Sequence, residues 1–314
     1  MTQPTPGRAA TAAAPDRPSP FRIWLLAVRP ATLPAALSGV VVGLGAALAV
    51  GTPFRLDAAI GCLAVALLLQ VTANLANDLS DFRKGADTPD RTGPIRVAAA
   101  GLVTERQLEA AIALTVALAG LVGLWLTLIG GPILLAIGAL AIVAALAYTG
   151  GPWPYGYRGL GEVFVFVFFG LVAVGGTAYL QAGRLEALFV AAAIPVGALT
   201  TAILVVNNLR DIPTDTAAGK RTLAVVLGRR ATVVEYTMLL GLAFLVPVAL
   251  AIVGWGITVL LPLLAIPLAL PLLRTVRTFT EPRQLNLVLK GTARLALVQG
   301  VLFAIGLALG AAIG

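Results

Sequence analysis

The sequence predicts an all-α protein that crosses a membrane many times as a bundle of helices. Hydrophobic residues make up 59% of the chain, charged residues only 11%, and the mean hydropathy is +0.96. The apolar residues occur in continuous runs of about 20, the length that an α-helix needs to span a bilayer. Because these runs do not alternate with polar residues, they argue against a transmembrane β-barrel.

The N-terminal region contains two segments before the first apolar run. Residues 1–20 are rich in Pro, Ala and Thr and lack the apolar core of a signal peptide, so we predict a disordered cytoplasmic tail. Residues 21–29 are amphipathic, and Trp24 is typical of an anchor at the membrane interface. We expect residues 21–314 to form one membrane domain.

Nine apolar runs follow, and each predicts one transmembrane helix. Gly and Pro interrupt several of them, which helix bundles in membranes tolerate. The predicted spans are 31–50, 57–77, 106–128, 131–149, 160–181, 186–207, 233–253, 256–273 and 292–313.

The distribution of positive charge predicts the orientation. With nine spans and the N-terminus inside, only Arg55 and Arg184 of the 22 Lys and Arg residues fall on the outer side. Lys and Arg concentrate in cytoplasmic loops, so we predict a cytoplasmic N-terminus and an outer C-terminus in the cell (plasma) membrane. The long loops then face the cytoplasm, where we expect them to cap a functional site. These loops are 78–105, 150–159, 208–232 and 274–291.

Composition also limits the chemistry. The chain has no His and a single Cys, Cys62, inside an apolar run. A disulfide within the chain, a zinc–histidine site and histidine acid–base catalysis are therefore excluded. Any metal must be held by oxygen atoms, which favours Mg²⁺, Mn²⁺ or Ca²⁺. The net charge of +8 follows from the loop orientation and does not indicate a nucleic-acid partner.

Two acidic clusters lie at the cytoplasmic ends of the second and sixth spans and hold six of the 14 acidic residues. The first cluster contains Asn77, Asp78, Asp81, Asp87 and Asp90, and the second contains Asn207, Asn208, Asp211 and Asp215. Carboxylates at a membrane boundary are costly and usually functional. Because so many carboxylates repel one another unless cations bind, the clusters predict a Mg²⁺ site that also takes phosphate oxygens.

Helical spacing groups these side chains on two faces. At about 100° per residue, Gln70, Asn74, Asn77 and Asp81 share a face of the second span, with Asp78 at its edge. Such a face lies toward the bundle interior or a water-filled cavity. Interhelical hydrogen bonding is the alternative interpretation for Gln70.

The second cluster forms a similar face only if its helix continues through Pro213. Asn208, Asp211 and Asp215 would then lie on one side of the sixth span. A solvated loop is the alternative for this cluster.

Basic residues accompany both clusters. Arg binds phosphate oxygens in a bidentate manner and Lys acts as a point charge. The set predicted to bind a diphosphate is Asn74, Asn77, Arg83, Lys84, Arg91, Arg210, Lys220 and Arg221, with Arg96 following the first cluster. The preference of cytoplasmic loops for positive residues is the alternative, and we favour it for Arg229 and Arg230.

Three segments resemble the UbiA-type intramembrane prenyltransferases, and the resemblance covers residues 21–313. The family's first aspartate-rich motif is similar to residues 77–91, N-D-L-S-D-F-R-K-G-A-D-T-P-D-R. Its second motif is similar to residues 207–224, N-N-L-R-D-I-P-T-D-T-A-A-G-K-R-T-L-A, and its first-span pattern to residues 29–37, R-P-A-T-L-P-A-A-L. The nine-span layout also matches this family.

One position departs from the general family pattern. A further Asp normally follows the second Asp of the first motif by four positions, but here that position is Gly85, with Asp87 two residues beyond. Together with R-T-G-P at residues 91–94, this variant is similar to the menaquinone branch of the family. That branch uses 1,4-dihydroxy-2-naphthoate as its aromatic acceptor.

The resemblance implies a mechanism in which metal ions hold the diphosphate of a polyprenyl donor. The implied ligands of two Mg²⁺ ions, with Mn²⁺ as an alternative, are Asp78, Asp81, Asp87, Asp211 and Asp215. Ionisation of the donor gives an allylic cation, which the naphthoate ring attacks with loss of CO₂ in a site that excludes water.

The resemblance also implies a catalytic role for Tyr148, whose ring face could stabilise the cation. An interfacial aromatic anchor is the alternative for Tyr148, and we interpret Tyr155 and Tyr157 as interface residues. The expected catalytic set is Asp78, Asp81, Asp211, Asp215 and Tyr148.

Two other functions remain open at the level of sequence. The same chemistry could act on another acceptor, such as 4-hydroxybenzoate, a chlorophyllide or haem. A cation-coupled transporter would also carry carboxylates within the membrane, but near its midplane rather than at one interface beside phosphate-type bases.

Overall fold

The computed structural model describes residues 18–85, 93 and 95–313. Throughout this part of the chain the secondary structure is helical, with no β-strand. The tail predicted for residues 1–20 lies almost wholly outside the described residues.

Together with three short 3₁₀-helices, the described residues form ten main helices. They are α1 (Pro20–Val28), α2 (Leu33–Ala49), α3 (Leu56–Arg83), α4 (Glu105–Gly130), α5 (Ile133–Ala147), α6 (Gly161–Ala182), α7 (Ala187–Ala217), α8 (Leu223–Ile252), α9 (Ile257–Thr278) and α10 (Leu285–Ile313). Helix α6 contains a π-helical turn over Phe166–Val172, and α9 begins as a 3₁₀-helix over Ile257–Ala265.

Eight helical segments of the described chain are long and apolar enough to cross a membrane. The segment Pro20–Ala49, which joins α1 to α2, counts as one of them. Each predicted span except the fourth coincides with such a segment, so the protein is a multi-pass membrane protein. The fourth predicted span, 131–149, corresponds to α5, an apolar helix of only 15 residues. The count of nine spans and their orientation stay predictions.

Helix α1 has the amphipathic character predicted for residues 21–29. Phe21 and Trp24 are exposed, whereas Ile23 and Ala27 are buried against Leu75 and Leu79 of α3. The helix ends at Arg29, whose φ of 54° makes it the only non-glycine residue with positive φ in the described part of the chain.

Helix α2 packs closely against its neighbours through small residues. A Cβ atom at Gly39 would lie 2.7 Å from Ala173 Cβ on α6, and one at Gly45 would lie 2.5 Å from the Ala304 Cα on α10. Only glycine permits such contact, as is common between helices in membranes. On the other side of the bundle, α7, α8 and α10 bury a continuous apolar core, where Tyr236 and Thr292 share a hydrogen bond of 2.9 Å.

Two long helices carry the described members of the predicted acidic clusters. Helix α3 continues past residue 77 to Arg83, and α7 continues through Pro213 to Ala217. The second acidic cluster is therefore helical, as its predicted face requires. We call the end of the bundle where α3 and α7 terminate the polar end.

Candidate active site

A cavity of about 560 Å³ opens between the helices and reaches the polar end. Its lining includes all four members of the predicted α3 face and all three of the predicted α7 face: Gln70, Asn74, Asn77, Asp81, Asn208, Asp211 and Asp215. Apolar residues of α2, α4, α5 and α6 line the rest, among them Val40, Leu124, Ile142 and Phe168. The cavity thus joins a polar end to a long apolar interior.

Asp81 is the point at which three loops meet. Its Oδ1 accepts hydrogen bonds from the Tyr157 hydroxyl at 2.7 Å and from Lys220 Nζ at 3.1 Å. Its Oδ2 accepts from Arg96 Nη2 at 2.8 Å, and the carboxylate is almost completely buried. The contact with Lys220 joins the first motif segment, residues 77–91, to the second, residues 207–224. Since two cations meet one carboxylate, this corner carries surplus positive charge that suits an anionic ligand.

Tyr157 is a hydrogen-bond donor in this corner rather than a plain interface residue, so that interpretation was wrong. Burial and the neighbouring Asp81 carboxylate raise the pKa of the Tyr157 phenol well above its usual range. The phenol therefore stays protonated and keeps donating to Asp81. Its ring also contacts two ammonium groups, with the ring centroid 4.5 Å from Lys84 Nζ and 4.7 Å from Lys220 Nζ. These contacts cross between loops, and no local sequence pattern shows them.

The same correction applies to Tyr155, which is buried and forms part of the cavity lining. Its hydroxyl donates to the Ala144 carbonyl at 2.9 Å, and its ring stacks on Phe164 with centroids 4.0 Å apart. Tyr148 lines the cavity and meets Tyr155 edge to face at 5.4 Å. The position of Tyr148 in the cavity wall is compatible with its expected role near a reacting centre.

Asp78 is buried but does not line the cavity. Its Oδ2 accepts the backbone N–H of Val97 at 3.0 Å. This bond holds the turn that carries Arg96, whose guanidinium then reaches Asp81. Asp78 consequently supports the site through the loop.

The second cluster contains a buried ion pair. Arg210 donates to both oxygens of Asp211, from Nε at 2.8 Å and from Nη2 at 2.6 Å, and also to Asn207 Oδ1 at 2.8 Å. A fourth bond, from Nη1, reaches Asn286 Oδ1 on α10 at 2.9 Å. Such a bidentate pair fixes the Asp211 carboxylate in the cavity wall. Arg210 itself lies behind that wall.

A tight turn after α7 returns Lys220 to the site. The backbone N–H of Lys220 donates to the Asp215 carbonyl at 2.8 Å, and Gly219 has a left-handed φ of 70°. Glycine adopts this conformation without the steric cost that a side chain would add. In the second motif, the turn at Gly219 therefore positions the Lys220 ammonium group next to Asp81.

Amide side chains of α3 bind the link between α1 and α2. Asn74 Nδ2 donates to the Val28 carbonyl at 2.8 Å and to Thr32 Oγ1 at 3.0 Å, and Gln70 Nε2 donates to Thr32 Oγ1 at 3.1 Å. Interhelical bonding, the alternative for Gln70, is thus present. The same link places Arg29 in the cavity lining. Sequence reasoning missed Arg29 as a site residue, although Arg29 is the first residue of the first-span pattern at residues 29–37.

Several predicted phosphate binders lie away from the cavity. Arg83 is on the surface, where it pairs with Glu105 at 2.7 Å and with Glu109. The Arg221 side chain is exposed, while its backbone N–H donates to the Tyr157 carbonyl at 3.1 Å. Lys84 Nζ donates to the Thr149 carbonyl, and Thr149 in turn donates to Asn77 Oδ1 at 3.0 Å. Asp87 and Arg91 lie outside the described residues.

The oxygen donors of the cavity fit Mg²⁺ only when a ligand supplies further oxygens. Within the described residues, no three acidic, His or Cys side chains approach closely enough to form a complete metal cage. Asp81, Asp211 and Asp215 nevertheless face one cavity with the amide groups of Asn77 and Asn208. Asp81 uses three and Asp211 two of the roughly four lone pairs that a carboxylate offers. Mg²⁺ is typically held by one or two carboxylates together with phosphate oxygens and water.

Comparison with known proteins identifies related sequences. Residues 36–287 match the sequence model of the UbiA prenyltransferase family. The 1,4-dihydroxy-2-naphthoate octaprenyltransferase of Mycobacterium tuberculosis is 44% identical over 92% of this chain and 98% of its own length. The enzyme of the same name from Escherichia coli is 39% identical over 90% and 94%.

Solved structures show the same fold at low sequence identity. A UbiA homolog from Archaeoglobus fulgidus bound to GPP and Mg²⁺ is 16% identical, with a TM-score of 0.66 over 91% of this chain and 99% of its own. A UbiA homolog from Aeropyrum pernix K1 is 19% identical, with a TM-score of 0.62 over 84% and 96%.

Proposed function

This chain belongs to the UbiA prenyltransferase family, and from that premise we propose that it transfers a polyprenyl group from a polyprenyl diphosphate to 1,4-dihydroxy-2-naphthoate. The products are CO₂, diphosphate and demethylmenaquinol, the quinol form of demethylmenaquinone, which is an intermediate of menaquinone biosynthesis. Relatives of that activity, 44% and 39% identical over nearly the whole chain, support this choice of acceptor.

The observation that carries the proposal is the ion pair between Asp81 and Lys220 at the mouth of an apolar cavity. It brings both aspartate-rich motifs to one point beside a space that suits an isoprenoid chain. A diphosphate at the polar end would meet Lys220 and Arg96, while the chain attached to it would lie among apolar residues of α4, α5 and α6.

We propose Asp81, Asp211 and Asp215 as the cavity-facing ligands of Mg²⁺, with Asp87 added on sequence grounds and Asp78 acting through the loop that it supports. A bound magnesium ion would neutralise charge on the leaving diphosphate. Lys220 and Arg96 stabilise the same developing charge from the protein side. Because both are already fixed by Asp81, little reorganisation accompanies bond breaking.

The proposed prenyl transfer needs no general base, because the acceptor loses CO₂ rather than a proton. The C–O bond of the prenyl diphosphate breaks and its electron pair leaves with the diphosphate. A C–C bond then forms between the allylic carbon and the ring carbon that bears the carboxylate. Loss of CO₂ returns an electron pair to the ring and restores its aromaticity. The apolar cavity excludes water from the allylic cation, and the Tyr148 ring face adds electrostatic stabilisation.

The acceptor carboxylate needs a cation in this largely apolar space. Three cations line the cavity in the described chain, and two of them, Arg96 and Lys220, lie beside Asp81 at the polar end, where the diphosphate would bind. The third, Arg29, lies on the link that Asn74 binds. Seven residues of α3, about 10 Å along a helix, separate Asn74 from Asp81. We therefore place the carboxylate at Arg29 and the reacting ring between Arg29 and the diphosphate.

We further propose that residues 21–314 form one domain with nine spans, and that the polar end faces the cytoplasm at the plasma membrane. The distribution of Lys and Arg supports this orientation. The test is labelling with a membrane-impermeant thiol reagent in intact cells, after Cys62 has been replaced by Ala and single cysteines introduced at Thr52 and Arg221. Labelling at position 52 but not at 221 is expected, and the reverse pattern would overturn the orientation.

A product assay tests the activity itself. Purified protein in lipid nanodiscs would receive Mg²⁺, polyprenyl diphosphates of several lengths, and either 1,4-dihydroxy-2-naphthoate or 4-hydroxybenzoate. We expect a prenylated naphthoquinol, detected by mass spectrometry together with diphosphate and CO₂, only with the naphthoate and only without EDTA. Product with 4-hydroxybenzoate alone would replace the acceptor, and absence of diphosphate release with every acceptor would favour a transporter.

A further inference from the structure

Glu162 is a buried acid that the proposed chemistry does not use. It is the second residue of α6, and its side chain is 5% exposed inside the bundle. Its Oε1 accepts a hydrogen bond of 2.8 Å from Asn208 Nδ2, while its Oε2 is buried with no hydrogen-bond partner among the described residues. Burying a carboxylate within a membrane protein is costly, and such residues usually serve function.

The bond to Glu162 determines which way the Asn208 amide points. A carboxylate can only accept hydrogen bonds, so the amide must turn its NH₂ group toward Glu162. Its Oδ1 then faces the opposite direction. Asn208 lines the cavity and precedes Asp211 by three residues on the same face of α7. The carbonyl oxygen of Asn208 is therefore directed away from Glu162, on the cavity-lining face of α7 that also carries Asp211.

Close packing fixes Glu162 in this position. The Thr201 hydroxyl of α7 donates to the backbone carbonyl of Glu162 at 3.4 Å. A Cβ atom at the preceding residue, Gly161, would lie 3.1 Å from Leu204 Cδ2 and 3.3 Å from Tyr148 Cε2. A side chain at position 161 would crowd both neighbours, so the start of α6 lies close to α7 and the Glu162 carboxylate has little freedom to leave Asn208.

We propose that Glu162 is a positioning residue that orients Asn208 so that Asn208 Oδ1 serves as an oxygen ligand of the metal–diphosphate complex. This inference rests on the metal–diphosphate part of the proposed function and is independent of the aromatic acceptor. Hydrogen-bonding partners of metal ligands act in this way in other proteins, where their loss costs roughly 10- to 100-fold in metal affinity or activity.

The test is a mutant cycle read by metal binding. Variants Glu162→Leu, Glu162→Gln, Asn208→Ala and Glu162→Leu/Asn208→Ala would be titrated with Mn²⁺ in the presence of inorganic diphosphate, with free Mn²⁺ followed by EPR. We expect Glu162→Leu and Asn208→Ala each to weaken Mn²⁺ binding at least about 10-fold. The double variant should be no weaker than Asn208→Ala, and Glu162→Gln should lose less because its amide oxygen can still accept the bond.

A matched control separates positioning from general damage. Gln299 is a fully buried polar residue of α10 that donates to the Ala243 carbonyl at 3.1 Å and does not line the cavity. Gln299→Leu should lower the melting temperature without changing Mn²⁺ affinity. Unchanged affinity in folded Glu162→Leu, or additive losses in the double variant, would overturn the proposal. Should Glu162→Leu not fold, any loss in Glu162→Gln must disappear in the Asn208→Ala background.

Measurements on the wild-type protein distinguish failure of the role proposed for Glu162 from failure of the proposed function. Wild-type protein that binds Mn²⁺ and diphosphate but makes no naphthoquinol would remove the acceptor assignment and leave the role of Glu162 intact. Wild-type protein that binds no Mn²⁺ with diphosphate would remove the metal site and the role of Glu162 together.

Discussion

Lys220→Met removes the ion pair that joins the two aspartate-rich motifs. Methionine keeps the length and most of the apolar stem of lysine but removes the ammonium group. The change breaks the 3.1 Å ion pair with Asp81 and the contact with the Tyr157 ring. The two other hydrogen bonds to Asp81 remain, from Arg96 at 2.8 Å and from Tyr157 at 2.7 Å.

The contacts that remain at Asp81 set the expected loss of folding stability. Removing one partner of an isolated buried ion pair costs about 3–5 kcal/mol. Asp81 keeps two other donors, so the loss of stability should be nearer that of one charge-assisted hydrogen bond, about 1.5–3 kcal/mol. Catalysis should suffer more, because removing one preorganised group that stabilises developing negative charge costs roughly 10²- to 10³-fold in kcat.

The assay is the initial rate of diphosphate release with saturating substrates, alongside thermal unfolding in detergent. Arg221→Met is the matched control, because Arg221 is adjacent in sequence but its side chain is exposed and does not line the cavity. We expect its kcat to stay within about threefold of wild type, as for most surface substitutions. Equal losses in the two variants, or a Lys220→Met enzyme with normal kcat, would refute the reasoning.

Four further substitutions have distinct expected outcomes. Asp211→Asn should abolish product formation in protein that still inserts into membranes, and retained turnover would exclude Asp211 from the metal site. Tyr157→Phe removes the 2.7 Å bond to Asp81 and should lower the free energy of unfolding by about 1.5–3 kcal/mol, measured by thermal denaturation; no loss would show that this bond is energetically neutral. Arg29→Gln should raise KM for the naphthoate at least about 10-fold while KM for the prenyl diphosphate is unchanged, and a shift in the donor KM instead would contradict the placement of the acceptor. Arg83→Met removes exposed ion pairs worth about 0.2–1 kcal/mol and should leave turnover and melting temperature nearly unchanged, whereas a large loss of kcat would return Arg83 to the site.

Local periodicity predicted the parts of the site that lie on single helices. Gln70, Asn74, Asn77 and Asp81 repeat at helical spacing, and the structure places all four on one cavity wall. The prediction for α7 depended on whether its helix continues past Pro213, and it does. Such patterns can be read from sequence because they depend only on the geometry of one helix.

Proximity in sequence was a poor guide to the basic residues. Arg83 lies two positions after Asp81, which on a helix turns its side chain about 200° away, toward Glu105 and Glu109. Lys220, distant in sequence, reaches Asp81 through the turn at Gly219. Tyr157 was assigned to the interface because an aromatic residue near a span end usually lies there.

Hydropathy and helical period are local properties, so the sequence alone was enough to predict a helical membrane protein with acidic side chains on two helix faces. The partners of these polar side chains became visible only in the folded structure: Asp78 accepts from the backbone of Val97, Asp81 pairs with Arg96 and Lys220, and Asn208 donates to Glu162. These contacts join loops and helices far apart in the chain. Their geometry depends on how close packing at residues such as Gly39 and Gly161 brings the helices together, which no single segment encodes.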